Sequence, residues 1–227
     1  MDGQTVIWVA PIILLLGCLV AVWEIWICEG SHLGQRFVVW LYDLTASRYD
    51  RIKGFDLDWE VRFLGEPIAA SAGRLAKPML LDIGAGTGRT ARAVSSVPGW
   101  SGKIVSLEPS RQMLALGRSL TPKGTTAWLR GWAADLPFCE ARFDLVVSLE
   151  LVEFTPRPLS TLTEMVRVLR PGGWLLVTNR VGKQAPWILG KTFHPRAFAD
   201  ALAKLGLQEI QTFAWQVEYD LVWARKP

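Results

Sequence analysis

The stretch Met79-Leu80-Leu81-Asp82-Ile83-Gly84-Ala85-Gly86-Thr87-Gly88-Arg89-Thr90 narrows the fold of this chain more than any other. An apolar run short enough for a buried strand carries an acid near its end. Three glycines follow at alternate positions, and a helix-compatible segment begins after them. Glycine turns through φ values closed to other residues and lets a ligand approach the backbone without meeting a Cβ. Free amides at the start of the next helix can then face that ligand. The pattern predicts a nucleotide-type binding loop after the first strand of an α/β sheet.

A glycine-rich loop alone is weak evidence. The frame Gly86-Thr87-Gly88-Arg89-Thr90-Ala91 also fits the G-x-G-x-x-A form of a dinucleotide site, with Glu108 about 20 residues on as its ribose acid. Asp82 argues against that, because a carboxylate at the strand end repels a pyrophosphate. The downstream residues bear on the choice. Lys103 to Glu108 is a second buried strand ending in an acid suited to two ribose hydroxyls, and Thr125 to Trp132 is a third. Ala134-Asp135-Leu136-Pro137-Phe138 follows it and offers an acid beside apolar surface. Phe143 to Ser148 is a fourth strand, and Gly173 to Asn179 a fifth, entered through Pro171-Gly172-Gly173.

Strands alternating with helical crossovers predict a parallel sheet with right-handed connections. The last two, Gln208 to Phe213 and Val217 to Arg225, are separated by three residues, Ala214 to Gln216. That is too short for a crossover, so they form a hairpin and one of them runs antiparallel.

From about Leu41 onward the chain resembles the class I S-adenosylmethionine-dependent methyltransferases. The likeness is carried by D-I-G-A-G-T-G at Asp82 to Gly88, by the A-D-L-P-F run at Ala134 to Phe138, and by the V-L-R-P-G-G turn at Val168 to Gly173. It implies a seven-stranded Rossmann-like mixed sheet of order 3-2-1-4-5-7-6, with helices on both faces and the seventh strand antiparallel. It also implies S-adenosylmethionine as cofactor. Cofactor contacts carry over to Asp82, Gly84, Ala85, Gly86 and Gly88 in the loop, with Asp82 serving the methionine ammonium. Glu108 carries over to the ribose hydroxyls, with Pro109 beside it. Asp135 carries over to the adenine amino group, with Ala134 and Leu136 alongside, and Ser148 completes the set. Tyr42-Asp43-Leu44-Thr45-Ala46-Ser47-Arg48-Tyr49-Asp50 resembles the Y/F-D-x-x-A-x-x-Y-D segment that covers the active site in small-molecule and quinone methyltransferases; it places Tyr49 near the cofactor.

Ahead of that domain, Val6 to Ile27 is apolar apart from Glu24. It is about long enough to cross a hydrocarbon core of roughly 30 Å at about 1.5 Å per residue. Trp8 at one end and Trp23 and Trp26 at the other fit interfacial aromatic belts. No basic residues precede the apolar core and no small-x-small site follows it, so the expectation is a transmembrane anchor over residues 1–30, not a cleaved signal peptide. Arg36, Arg48, Arg51 and Lys53 follow the span, which predicts a catalytic domain on the cytoplasmic side. Residues 31–75 read as a helical interfacial or lid segment, with Val38, Leu41, Tyr42 and Thr45 on one face and Trp59, Phe63 and Leu64 on another. Residues 76–227 read as the methyltransferase domain.

The 25 basic residues against 21 acidic ones leave no dense cationic cluster, so no nucleic-acid footprint is expected. The three cysteines, Cys18, Cys28 and Cys139, show neither metal spacing nor a disulfide framework. Glu150 and Glu153, after the fourth strand, are candidates for a general base. The functional expectation is methyl transfer to a small or lipophilic acceptor, a quinone precursor or lipid-like molecule, at the membrane. The rivals are an NAD-dependent oxidoreductase and an anchored cofactor-binding protein without catalysis.

Overall fold

The computed structural model describes residues 3–73 and 75–227, with side chains from residue 9 onward. The aromatic flank expected at Trp8 therefore lies outside the described side chains.

Seven strands, β1 (Met79–Ile83), β2 (Lys103–Leu107), β3 (Thr126–Leu129), β4 (Phe143–Ser148), β5 (Leu169–Arg180), β6 (Gln208–Trp215) and β7 (Tyr219–Arg225), form one sheet of order β3-β2-β1-β4-β5-β7-β6. The pairs from β3 to β5 are parallel. β7 runs antiparallel to both β5 and β6, as the short connection after Trp215 requires. In the central strand β1, Leu80 and Leu81 are both fully buried although they point to opposite faces, the mark of a sheet covered on both sides. One core sets Phe143, Val146 and Val177 against Leu162 and Met165 of α8 (Pro158–Val168) and Phe198 of α9 (Pro195–Lys204). The other sets Leu80, Ile104 and Leu145 against Leu64, Ile68, Ala91 and Val94.

Several strand boundaries differ from expectation; β6 runs on through Ala214 and Trp215, so the hairpin turn falls at 216–218, and two other shifts have a visible cause. β3 stops at Leu129 instead of running to Trp132, because Gly131 and Trp132 leave the sheet to wall a cleft. β5 begins at Leu169, ahead of the Pro-Gly-Gly turn, because Leu169 pairs with Phe143 and a register shift absorbs the turn.

Before the sheet come α1 (Gly3–Val22), continued by a wider turn at Trp23–Ile27, and then α2 (Gln35–Thr45), α3 (Tyr49–Lys53), α4 (Leu57–Glu60) and α5 (Glu66–Ser71). Within α1 and its continuation, Val9–Ile27 is long and apolar enough to cross a membrane. Most of it is exposed, while Glu24 and Cys28 at its end are buried. Residues 35–71 pack over the sheet and over α6 (Arg89–Ser95). At Gly65 a Cβ would stand 2.6 Å from the carbonyl oxygen of Ala93 on α6, so only glycine allows that approach. Gly65→Ala should cost about 1–3 kcal/mol. At roughly 2–4 °C per kcal/mol for a domain of this size, calorimetry should register a melting point lower by several degrees.

Candidate active site

The carboxyl ends of β1, β2 and β4 meet where the strand order reverses, the place where open α/β sheets take ligands. A cleft of about 710 Å³ opens there, floored by Gly84, Gly86 and Glu108 and roofed by Val38, Tyr42 and Tyr49. A smaller adjoining cavity of about 350 Å³ reaches Asp82, Ala85 and Arg89.

The loop glycines divide their duties. All three have positive φ, 69°, 53° and 84° for Gly84, Gly86 and Gly88. A Cβ at Gly84 would press on Leu151 at 2.9 Å, and one at Gly88 would meet Thr121 and Trp128 at 3.0 and 3.1 Å. A Cβ at Gly86 would reach only the edge of Tyr49, at 4.0 Å. Gly86 is thus the loop residue with open space above it. Gly88 does not line either cavity; it keeps α6 close to β3 and to α7 (Arg111–Leu120).

Two buried carboxylates flank this loop. Asp82 is 2% exposed and its Oδ2 has no hydrogen-bond partner. Burial pushes its carboxyl up to about 7; the neighbouring hydroxyls of Thr90 and Ser106 pull the other way, while Glu108 adds to the rise. Glu108 is 6% exposed and accepts from the amides of Gly86 and Ser110, both at 2.8 Å. Desolvation raises it to about 7 as well, against those two amides. An ionised carboxylate has about four acceptor sites, so Glu108 keeps capacity for a diol.

The other expected contacts separate. Pro109 lines the cleft beside Glu108. Ala134 and Asp135 are exposed and line neither cavity. Leu136 is buried in the core, where its amide donates to Glu164 and its carbonyl accepts from Arg167, so α8 holds this turn with Asp135 facing out. Gly131, Trp132 and Ala133 form the wall that Asp135 was expected to form. Ser148 is fully buried and donates to the carbonyl of Ile83, tying β4 to β1 instead of facing the cleft.

Neither candidate base is free. Glu153 is 2% exposed, accepts a 2.6 Å hydrogen bond from the Tyr219 hydroxyl and does not line the cleft; burial raises its pKa. Glu150 does line the cleft, but Lys53 holds one of its oxygens at 2.5 Å and Arg89 the other at 2.9 Å.

Arg89 is the residue that motif reading overlooked. It is 7% exposed, grips Glu60 through two bonds of 2.7 and 2.8 Å, and lies over the rings of Phe55 and Trp215, 4.5 and 5.1 Å from their centroids. The acids of the Y-D…Y-D segment are tied down as well. Asp43 accepts from Ser110 and from the amide of Gln112 at the start of α7, and Asp50 takes Thr87 and Arg92. Tyr42 and Tyr49 meet edge to face, with ring centroids 5.8 Å apart, and burial lifts both phenols above their ordinary pKa.

A methyltransferase domain family matches residues 81–177. The ubiquinone/menaquinone biosynthesis C-methyltransferase UbiE of Hahella chejuensis is 30% identical over 202 residues, covering 84% of this chain and 76% of that protein. The chain belongs to the class I S-adenosylmethionine-dependent methyltransferases. The demethylmenaquinone methyltransferase of Clavibacter sepedonicus is 27% identical over 190 residues, 81% of this chain and 74% of that one. Among solved structures, the cyclase SpnF superposes with a TM-score of 0.68 at 18% identity, over 86% of this chain and 97% of that chain, a likeness of fold alone. As a member of this family the chain is an enzyme whose methyl donor is S-adenosylmethionine, which removes the oxidoreductase and non-catalytic readings.

The raised carboxyls give this methyltransferase a pH signature. In the folded ligand-free chain Asp82 holds its proton to about pH 7, whereas an unfolded aspartate releases it near pH 4. The contribution to stability is therefore full below about pH 4 and is lost as pH rises through about 7. Asp82→Asn cannot ionise, so its melting point should fall less than the wild type's between pH 4.5 and 7.5. Parallel melting curves across that range would exclude the burial assigned to Asp82.

Proposed function

We propose that this methyltransferase acts on a small lipophilic acceptor, a quinone precursor or lipid-like molecule, at a membrane. The carrying observation is that α2, a few residues after the apolar Val9–Ile27 helix, supplies Val38 and Tyr42 to the roof of the cleft. The names of the Hahella and Clavibacter relatives, both quinone-pathway methyltransferases, support the same acceptor class. On this reading Val9–Ile27 is the anchor, residues 35–71 form the cover of the site, and the sheet domain lies on the cytoplasmic side. Residues from Trp23 onward belong structurally with the domain, because Cys28 is fully buried and Glu29 pairs with Arg180 at 2.8 Å.

The residues present suit the cofactor. The partnerless Oδ2 of Asp82 matches a ligand ammonium, and the remaining acceptor sites of Glu108 match a ribose diol. Pro109, Trp132 and Ala133 offer apolar surface for a base. S-adenosylmethionine supplies an electrophilic methyl group; the chain supplies binding, orientation and exclusion of water. With Glu150 in ion pairs and Glu153 outside the cleft, placement of acceptor against methyl carries the rate.

The direct test is incubation of the full chain with methyl-labelled S-adenosylmethionine and a chloroform extract of membranes. Label should enter a chloroform-soluble product; label confined to water-soluble acceptors would overturn the acceptor class. In calorimetry, Glu108→Ala should weaken cofactor binding at least about tenfold, since hydrogen bonds to a charged group are worth roughly 1.5–3 kcal/mol. Tyr49→Ala should cut turnover by roughly ten- to a hundredfold through misplacement, with a much smaller change in cofactor affinity. Equal effects on both would make Tyr49 a cofactor contact and not a cover.

A further inference from the structure

The loop after β5 is bound to the end of the apolar helix. The indole Nε1 of Trp23 donates to the carbonyl of Trp187 at 3.2 Å, and the Cys28 thiol lies 3.7 Å from the same oxygen. Two residues on, the carbonyl of Leu189 lies 2.9 Å from Nε2 of His32. Ile188 between them is 1% exposed and Ala185 just before them 6%, so the loop is plugged into the domain. Trp187 and Leu189 nevertheless stand 62% and 64% exposed. These are two large apolar side chains on a fixed backbone, turned away from the protein.

Their depth follows from the helix they touch. The apolar run ends at Ile27, and Trp23 lies four residues before that end. At about 1.5 Å per residue, that is about 6 Å inside it. A hydrogen bond from Trp23 brings the backbone of Trp187 to the same level. Glu24 reinforces the point. A carboxylate in a membrane span needs a partner and a shield from lipid. Glu24 is 5% exposed, with one oxygen accepting from the amide of His32 and the other facing His32 Nδ1, both at 2.9 Å. His32 in turn stacks on Trp23, with ring centroids 5.3 Å apart, and is capped by Leu189. Glu24, Cys28 and His32 come close enough to hold a metal ion. Both ring nitrogens of His32 face oxygens, one of Glu24 and one of Leu189.

Resting on the membrane reading above, we propose that the segment from Gly182 to Leu189 is a second lipid-contacting element. It seats Trp187 and Leu189 in the interfacial layer of the bilayer beside the end of the span, where Trp is favoured. The contact also orients the cleft. Lys191, just past the loop, donates to the carbonyls of Thr155 and Pro156 at 2.8 and 3.2 Å, and Thr155 lines the cleft. The acceptor side of the site is thereby joined to the lipid surface by one short, fixed segment.

The test is nitroxide accessibility in the full-length chain, reconstituted in phosphatidylcholine nanodiscs. Labels go on Trp187→Cys or Leu189→Cys in a Cys18→Ser, Cys139→Ser background; that background alone reports labelling of the buried Cys28. Ser101→Cys in the same background is the aqueous reference, since it lies before β2, at the sheet end opposite the cleft. Native Cys18, labelled in Cys139→Ser, reports on the span. The expected result is that labels at 187 and 189 favour oxygen over an aqueous nickel chelate several-fold more than the label at 101 does, as the label on Cys18 also should. A lipid-immersed Cys18 with labels at 187 and 189 matching 101 would overturn this inference and leave the anchor intact. A water-accessible Cys18 would overturn both.

Discussion

The buried guanidinium of Arg89 organises the catalytic half of the molecule. It projects from the first turn of α6, directly after the glycine loop, and meets Glu60 from the covering helices and Glu150 from the end of β4. The rings of Phe55 and Trp215 pack against it, so the covering segment, the loop, β4 and the β6–β7 hairpin converge on one cation. Removing one partner of such a buried pair leaves an uncompensated charge and typically costs about 3–5 kcal/mol. Glu150 sits at φ 53°, a conformation costly for a residue with a Cβ, and it is held there by Arg89, Lys53 and the bond from its amide to Thr178. Strain at the rim of the cleft is balanced by charge behind it.

The cover over the site is accordingly a docked structure. Asp43 caps α7, Asp50 bonds Thr87 in the glycine loop, and Gly65 lets α5 and its preceding turn lie against α6. Each contact joins the segment before β1 to the glycine loop or to a helix beside it. The two acids of the Y-D…Y-D segment therefore have a physical purpose that the aromatic residues alone do not explain: they fix Tyr42 and Tyr49 over the cleft by gripping Ser110 and the Gln112 amide on one side and Thr87 and Arg92 on the other.

The sheet was legible because its signals are local. Short apolar runs, each followed by a turn, define the strands, and three residues between the last two dictate the antiparallel hairpin. Asp82, Gly86 and Glu108 were legible for the same reason, since strand ends and a glycine loop place them together whatever surrounds them. Asp135 and Ser148 stand away from the cleft because a motif position does not fix which way a side chain faces. Asp135 is turned outward by contacts of α8, some thirty residues away, and Ser148 spends its hydroxyl on a neighbouring strand. Arg89 was invisible because its meaning lies in Glu60, Glu150, Phe55 and Trp215, none of which neighbours it in sequence.

The chemistry of the cleft follows from what its walls can and cannot offer. Burial keeps the phenols of Tyr42 and Tyr49 protonated, so at the roof they are hydrogen-bond donors. Glu108 is engaged by backbone amides and Glu150 by two cations, and Leu149, Leu151 and Phe154 complete the surroundings. Such walls offer apolar surface and phenol donors, with both carboxylates already engaged. A nucleophile that needed deprotonation by the enzyme would find little help there. An electron-rich carbon or oxygen that brings its own reactivity needs only to be placed in line and kept dry, and fixing that geometry can supply up to about 7–11 kcal/mol of a barrier.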